Sequence, residues 1–213
     1  MKIVFEDNHL LAVDKPSGIL TQPTPTCSES VENELKAFIK KRDEKKGNVF
    51  LHAVHRLDKE ASGIVLFAKS QKALSRLSQA VREKKISKEY CALVEGEKPK
   101  KGTVVDFLFH DHHKALIIPY DFKGAKRAEL EIIESEKSNG LWFVKIRLIT
   151  GRYHQIRAQL SHLGNPIVGD AKYGSTKPFQ GIALHHMRST FIHPIRQEEC
   201  EVYSLPSWFS RGM

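Results

Sequence analysis

The tightest constraint on the fold is a pair of runs on either side of Asn139-Gly140. Residues 128–135 and 141–149 read as two strands. In the second, Trp142, Val144, Ile146 and Leu148 alternate with Lys145 and Arg147. A period of two puts the apolar residues on one face of a strand. Asn-Gly supplies the positive backbone angles that a tight hairpin turn demands. The spacing therefore predicts an antiparallel hairpin.

The rest of the chain divides into similar short elements. Residues 3–5 and 10–13 read as a second hairpin across Asp7-Asn8-His9, and Lys15-Pro16-Ser17-Gly18 then breaks the pattern. Pro23 and Pro25 extend that loop. Ser28 or Ser30 caps a helix whose apolar positions are Val31, Leu35, Phe38 and Ile39. The charge run 40–47 reads as a solvated helix end and loop, with phosphate binding as the alternative. Ser70 caps a second helix with Ala73, Leu74, Leu77, Ala80 and Val81 facing the core. Residues 88–96 form a strand with Tyr90, Ala92 and Val94 on one face, where plain core packing is the ordinary role of a tyrosine. Residues 103–109 and 115–118 are short strands. His110-Asp111-His112-His113 between them is not read as a metal site, because adjacent residues on a turn point apart.

The chain has 213 residues, 40% of them hydrophobic, enough for one core or for two small lobes sharing a sheet. Lys and Arg outnumber Asp and Glu by 34 to 25, a net charge of +9. That balance suits a polyanion, nucleic acid before an anionic membrane. No run of 18 apolar residues exists to span a bilayer, and the N-terminus lacks a secretory apolar segment. Cys27, Cys91 and Cys200 are odd in number and far apart, which argues against a disulfide framework or a cysteine zinc site. A reduced, cytoplasmic protein is expected. No internal repeat, low-complexity tract or linker is visible.

The motif with most chemistry is His55-Arg56-Leu57-Asp58, followed by Lys59-Glu60-Ala61-Ser62-Gly63 and the apolar run 64–68. A polar loop entering a buried strand places Asp58 at the strand mouth, where reactive side chains usually sit. By itself, an Arg56–Asp58 structural ion pair is the better explanation of these residues, because such pairs are common. Further blocks change the weighting. Lys88-x-Tyr90-x-Ala92-Leu93-Val94-x-Gly96 is one, and Gly151-Arg152-Tyr153-His154-Gln155-Ile156-Arg157 is another. The run from Leu163-Gly164-Asn165 to Tyr173-Gly174, then Leu184-His185 and His193-Pro194, complete the set. Together these blocks resemble the RluA family of pseudouridine synthases, from Lys15 to Pro194. Two positions depart from the family: Ala61, usually Thr, and His186, often Ala. The second puts only local packing in doubt.

The resemblance implies an α+β fold: a mixed, largely antiparallel sheet flanked by helices, with a central catalytic cleft. It implies one catalytic domain over residues 1–213, without the N-terminal S4-type RNA-binding domain of many larger members. It implies isomerisation of a specific uridine to pseudouridine in rRNA or tRNA, by cleavage of the glycosidic bond and reattachment through C5. Asp58 would be the carboxylate beside C1′, Tyr90 would pack on the uracil and assist proton transfer, and Arg157 would pair with Asp58. Arg56 would fill the space of the flipped base and Leu184 would line the uracil pocket. His55, Arg152, His154 and Gln155 would be further substrate contacts. An isomerisation needs no redox cofactor, metal or ATP, so none is expected. The expected partner is an RNA stem-loop, with no membrane, and the expected state is a monomer. Two other readings compete with it. A catalytically inactive RNA-binding or chaperone protein on the same fold is disfavoured by the joint presence of Asp58, Tyr90 and Arg157. A metal-dependent nuclease built on the eleven histidines lacks any ligand spacing.

Overall fold

A computed structural model describes residues 1–118 and 123–209, apart from the side chain of Ser138. In chain order its elements are β1 (Lys2–Glu6), β2 (Leu10–Lys15), α1 (Val31–Arg42), β3 (His52–Ala53), β4 (Ser62–Ala68), α2 (Gln71–Arg82) and β5 (Ser87–Val94). These are followed by β6 (Gly102–Asp111), β7 (Lys114–Ile118), β8 (Lys126–Ser138), β9 (Leu141–Leu148), α3 (Gln155–His162), β10 (Leu184–Ile192) and β11 (Glu199–Tyr203). The pairings β1–β2, β2–β4, β3–β4, β5–β9, β6–β7, β6–β8, β8–β9 and β10–β11 are antiparallel. With three α-helices among the described residues, this is the expected α+β fold. The chain divides into two compact units: Met1–Ile86 with Arg188–Pro206, and Ser87–Met187 with the segment from Ser207.

The first unit is a helix–sheet–helix sandwich. β2 pairs with β4 from Leu10↔Ala68 to Lys15↔Gly63, and β1 pairs with the outer edge of β2. Every residue from Gly63 to Ala68 is buried, so β4 is covered on both faces. Side-chain alternation assigns the two faces. Leu11, Val13, Val65 and Phe67 meet Val31, Leu35 and Ile39 of α1. Leu10, Ala12, Ile64, Leu66 and Ala68 meet Ala73 and Leu77 of α2, with Phe191 and Val202. Ser30, not Ser28, caps α1, accepting from the Asn33 amide, and Ser70 caps α2 in the same way. Phe38 does not join the buried face of α1. It is 48% exposed, beneath the Arg42 guanidinium. Val31, Leu35 and Ile39 repeat every four residues and fill that face, and the buried Glu32 continues it. Glu32 is neutralised by Lys36 and accepts from Gln22 and the Ala53 amide. The charge run after α1 is exposed from Lys40 to Gly47, as expected of a solvated end.

The second unit carries an antiparallel sheet in the order β5–β9–β8–β6–β7. β5 pairs with β9, β9 with β8, β8 with β6 and β6 with β7. The predicted hairpin is β8–β9, turned at Asn139 (φ 49°) and Gly140 (φ 79°). β6 runs further than expected and takes in His110 and Asp111, so its turn is His112-His113, with His112 at φ 42°. α3 packs on β6 and β7 through a core of Leu108, Ala115, Ala128, Ala158 and Tyr173. Strand β10 begins in this unit and ends in the other. Among the described residues no helix is long and apolar enough to cross a membrane.

Candidate active site

Asp58 lies on the loop before β4, half-buried, and that loop is sewn to the 15–21 loop by main-chain groups. Leu57 donates its amide to Thr21 Oγ1 at 3.1 Å, and the same hydroxyl donates to the Leu57 carbonyl at 3.2 Å. Gly18 donates to the Lys59 carbonyl at 2.8 Å, and Ser17 Oγ to the Glu60 carbonyl at 2.5 Å. The Ala61 amide closes the turn on the Asp58 carbonyl at 3.2 Å. His55 Nε2 accepts from the Leu66 amide at 3.3 Å, tying the motif's start to β4.

The centre of this stitching is Lys15, which the sequence showed only as the start of a loop. It is fully buried. Its ammonium donates to the carbonyls of Pro16 and Ile19 at 2.9 Å each and of Lys59 at 3.2 Å. Burial pushes its pKa down to about 8, against the pull of the Asp58 and Glu60 carboxylates. A buried cation beside the Asp58 loop thus adds positive potential as well as bracing. Arg56 is exposed and has no ion pair among the described residues, so the Arg56–Asp58 structural pair is not formed.

The second unit holds the other expected residues. Tyr90 sits in β5, 6% exposed, with its ring stacked on His186 of β10 at 4.6 Å and 15°. Leu184 is buried two residues before His186, on the same face by alternation. The Leu93 amide donates to the Ala183 carbonyl at 3.0 Å, holding the start of β10 beside β5. Lys88, on the Tyr90 face of β5, has its pKa lowered by burial.

Arg157 is 4% exposed on α3, bordering the core as its place next to Ile156 predicts. Asp170 holds it with two hydrogen bonds, Nε to Oδ2 at 2.7 Å and Nη2 to Oδ1 at 2.9 Å. Its guanidinium carbon also lies 5.1 Å from the centre of the Tyr173 ring. The sequence reading missed this partner. A lone acid thirteen positions downstream, between the apolar Ile167-Val168 and Ala171, was the available signal.

The turn before α3 is braced internally. Gln155 Oε1 accepts from Thr150 Oγ1 at 2.8 Å and from the Arg152 amide at 3.0 Å. Its Nε2 donates to the Glu129 carbonyl and to Gln159 Oε1, both at 3.0 Å. His154 is buried in the left-handed region at φ 49°, its Nδ1 3.0 Å from Tyr173 Oη. Both residues were expected at the substrate; the structure places their polar atoms on neighbours in the unit. Arg152 is exposed, with Nε donating to the Arg127 carbonyl.

Comparison with known proteins agrees with the motif reading. Residues 9–162 match the RNA pseudouridylate synthase family. The chain is 34% identical over 205 residues to the uncharacterized RNA pseudouridine synthase YhcT of Bacillus subtilis (strain 168), covering 93% of this chain and 66% of that protein. It is 35% identical to the ribosomal large subunit pseudouridine synthase C of Buchnera aphidicola subsp. Acyrthosiphon pisum (strain APS), covering 91% of this chain and 63% of that one. The chain thus spans about two thirds of the length of these relatives. The fold matches the human RNA pseudouridylate synthase domain containing 4 with a TM-score of 0.80 at 22% identity, over 98% of this chain and 90% of the other. On the match over residues 9–162 and these identities, the chain belongs to the RNA pseudouridylate synthase family.

Proposed function

We propose that this chain is an RNA pseudouridine synthase that isomerises a specific uridine. The observation that carries the reading is Asp58 on a loop braced by a buried lysine, inside a segment that matches the family throughout. The reaction breaks the N1–C1′ bond, turns the uracil and joins C5 to C1′, with loss of the C5 proton and protonation of N1. Positive charge grows at C1′ as in glycoside cleavage, and Asp58 is the carboxylate that meets it. The uracil leaves as an anion and must be held. Tyr90 stacks on it and assists the proton transfer, and Leu184 lines its pocket. Arg157 is the candidate arginine of the reaction, with Asp170 fixing its guanidinium.

A stacked uridine must leave the helix to react, at a cost of a few kcal/mol. Arg56 fills the vacated space; its exposure and lack of ion pair suit that task. Arg152 and His55 are further candidate RNA contacts, as are His154 and Gln155, which also brace the turn before α3. The chain acts as a monomer in the cytoplasm, without metal or cofactor. The substrate is a stem-loop of large-subunit rRNA, the class that the named relatives suggest, with a tRNA loop as the second choice. The test is tritium release from RNA labelled at uracil C5, with the site mapped by comparing cellular RNA with and without the gene. Release in proportion to mapped pseudouridine is expected. RNA binding without release would favour the inactive RNA-binding protein.

A further inference from the structure

The second departure from the family pattern bears on the reaction. His186 is fully buried, and its imidazole is stacked on the phenol of Tyr90 at 4.6 Å with the planes 15° apart. The two rings come from different strands, so the stack is a tertiary contact and not a product of sequence neighbours. Tyr90 is itself 6% exposed. One face of its ring is packed against His186, and in the proposed function the same ring receives the uracil. An alanine, the residue common at this place in the family, offers one methyl group where this chain has a flat ring.

A phenol on a strand has two torsions to fix, and packing alone decides them when the ring is buried. Parallel offset rings prefer a narrow range of separations and tilts, so the stack restricts the plane of the phenol. The imidazole also sits on the face of β10 that carries Leu184, two residues away. The strand that lines the uracil pocket in the proposed function thereby also sets the plane of the ring that receives the uracil.

We infer that His186 is a positioning residue, which acts through Tyr90 by holding the phenol in its reactive plane. This rests on the proposed function. It predicts that losing the imidazole slows the chemical step and leaves RNA binding intact, because His186 touches Tyr90 and not the RNA.

The experiment measures single-turnover rates and RNA Kd for a mapped-site hairpin with wild type, His186→Ala, His186→Phe, Tyr90→Phe and the His186→Ala/Tyr90→Phe double variant. Thermal unfolding checks that each folds. His186→Ala should slow the rate by about tenfold or more, inside the range that small misplacements of a reacting group cost. Its Kd should stay within about twofold, since binding is dominated by phosphate contacts. His186→Phe restores a flat ring and should recover most of the rate. The double variant should be no slower than Tyr90→Phe alone, as expected when one residue acts through another. Wild-type turnover with an unchanged His186→Ala rate, or with fully additive losses, overturns the inference and leaves the function standing. No turnover by wild type on any mapped RNA overturns the function and the inference with it. If His186→Ala does not fold, the comparison of His186→Phe with His186→Leu decides: equal rates overturn the inference.

Discussion

Arg157 and Asp170 form a two-pronged ion pair sealed inside the second unit, with side chains 4% and 1% exposed. Charges so far from water persist only when both are present, because removing one strands the other. Asp170→Asn should therefore destabilise the protein by about 3–5 kcal/mol. It should also slow turnover, since the guanidinium loses its anchor. Urea unfolding of the variant measures the first effect. A loss below about 1 kcal/mol would place this pair with the weak surface bridges.

Gly96 ends the Tyr90 strand segment in a conformation only glycine holds easily, with φ +87°. A Cβ there would sit 2.2 Å from the Gly164 carbonyl oxygen. The Asn165 amide fills the same corner, donating to the carbonyls of Glu95 and Glu97. Gly96→Ala must both adopt a strained backbone and push one turn off another. The expected cost is about 3 kcal/mol or more, read by denaturant midpoint. Near wild-type stability would mean that the 94–97 and 164–167 segments are not held together as described.

Lys15 makes a pH prediction with a definite sign. Its folded pKa is about 8, against 10.5 for the ordinary lysine. Between those values the unfolded chain binds more protons, so this group's contribution to stability rises with pH. Below pH 8 both states are protonated and the burial cost is fully present. Lys15→Met removes the titration. The stability of wild type relative to this variant should thus increase from pH 7 to pH 10, by up to about 3 kcal/mol. A constant difference across that range would show that the ammonium is not desolvated in the folded protein.

The net charge of +9 and the exposed run 40–47 predict salt-sensitive RNA binding. Each phosphate neutralised releases counterions, so log affinity should fall linearly with log salt concentration. Filter binding of the mapped hairpin at several salt concentrations gives the slope. A flat line would remove the electrostatic account of the basic surface.

Much of the fold was legible in the sequence because its signals are local. The β8–β9 hairpin followed from alternation and Asn139-Gly140 and the α2 cap from Ser70, while for α1 the sequence offered Ser28 beside Ser30. Phe38 misled because helical spacing admits it beside Leu35 and Ile39, and only the packed sheet reveals that Glu32 lies on the covered side instead. The candidate site divides in the same way. Asp58 and Tyr90 stood out by motif. Their supports did not: Lys15 is held by carbonyls, which carry no side-chain signature, and one of these lies 44 residues away. Asp170 and His186 meet Arg157 and Tyr90 only through tertiary contacts. The same holds for Gln155 and His154, which the motif offers as substrate contacts without any local sign that they also brace the turn before α3.

The central claim is that Asp58 performs the chemistry, on a loop braced through main-chain groups. The bonds at the backbone of residues 57, 59 and 60 do not pass through its carboxylate, so Asp58→Asn keeps them. The decisive measurement is single-turnover tritium release from the C5-labelled target by this variant, beside its RNA Kd. The account predicts a rate lower by about a thousandfold or more, at the upper end for removing one charge-stabilising group, with the Kd nearly unchanged. Release at more than about one-tenth of the wild-type rate, well short of even a hundredfold loss, would contradict it.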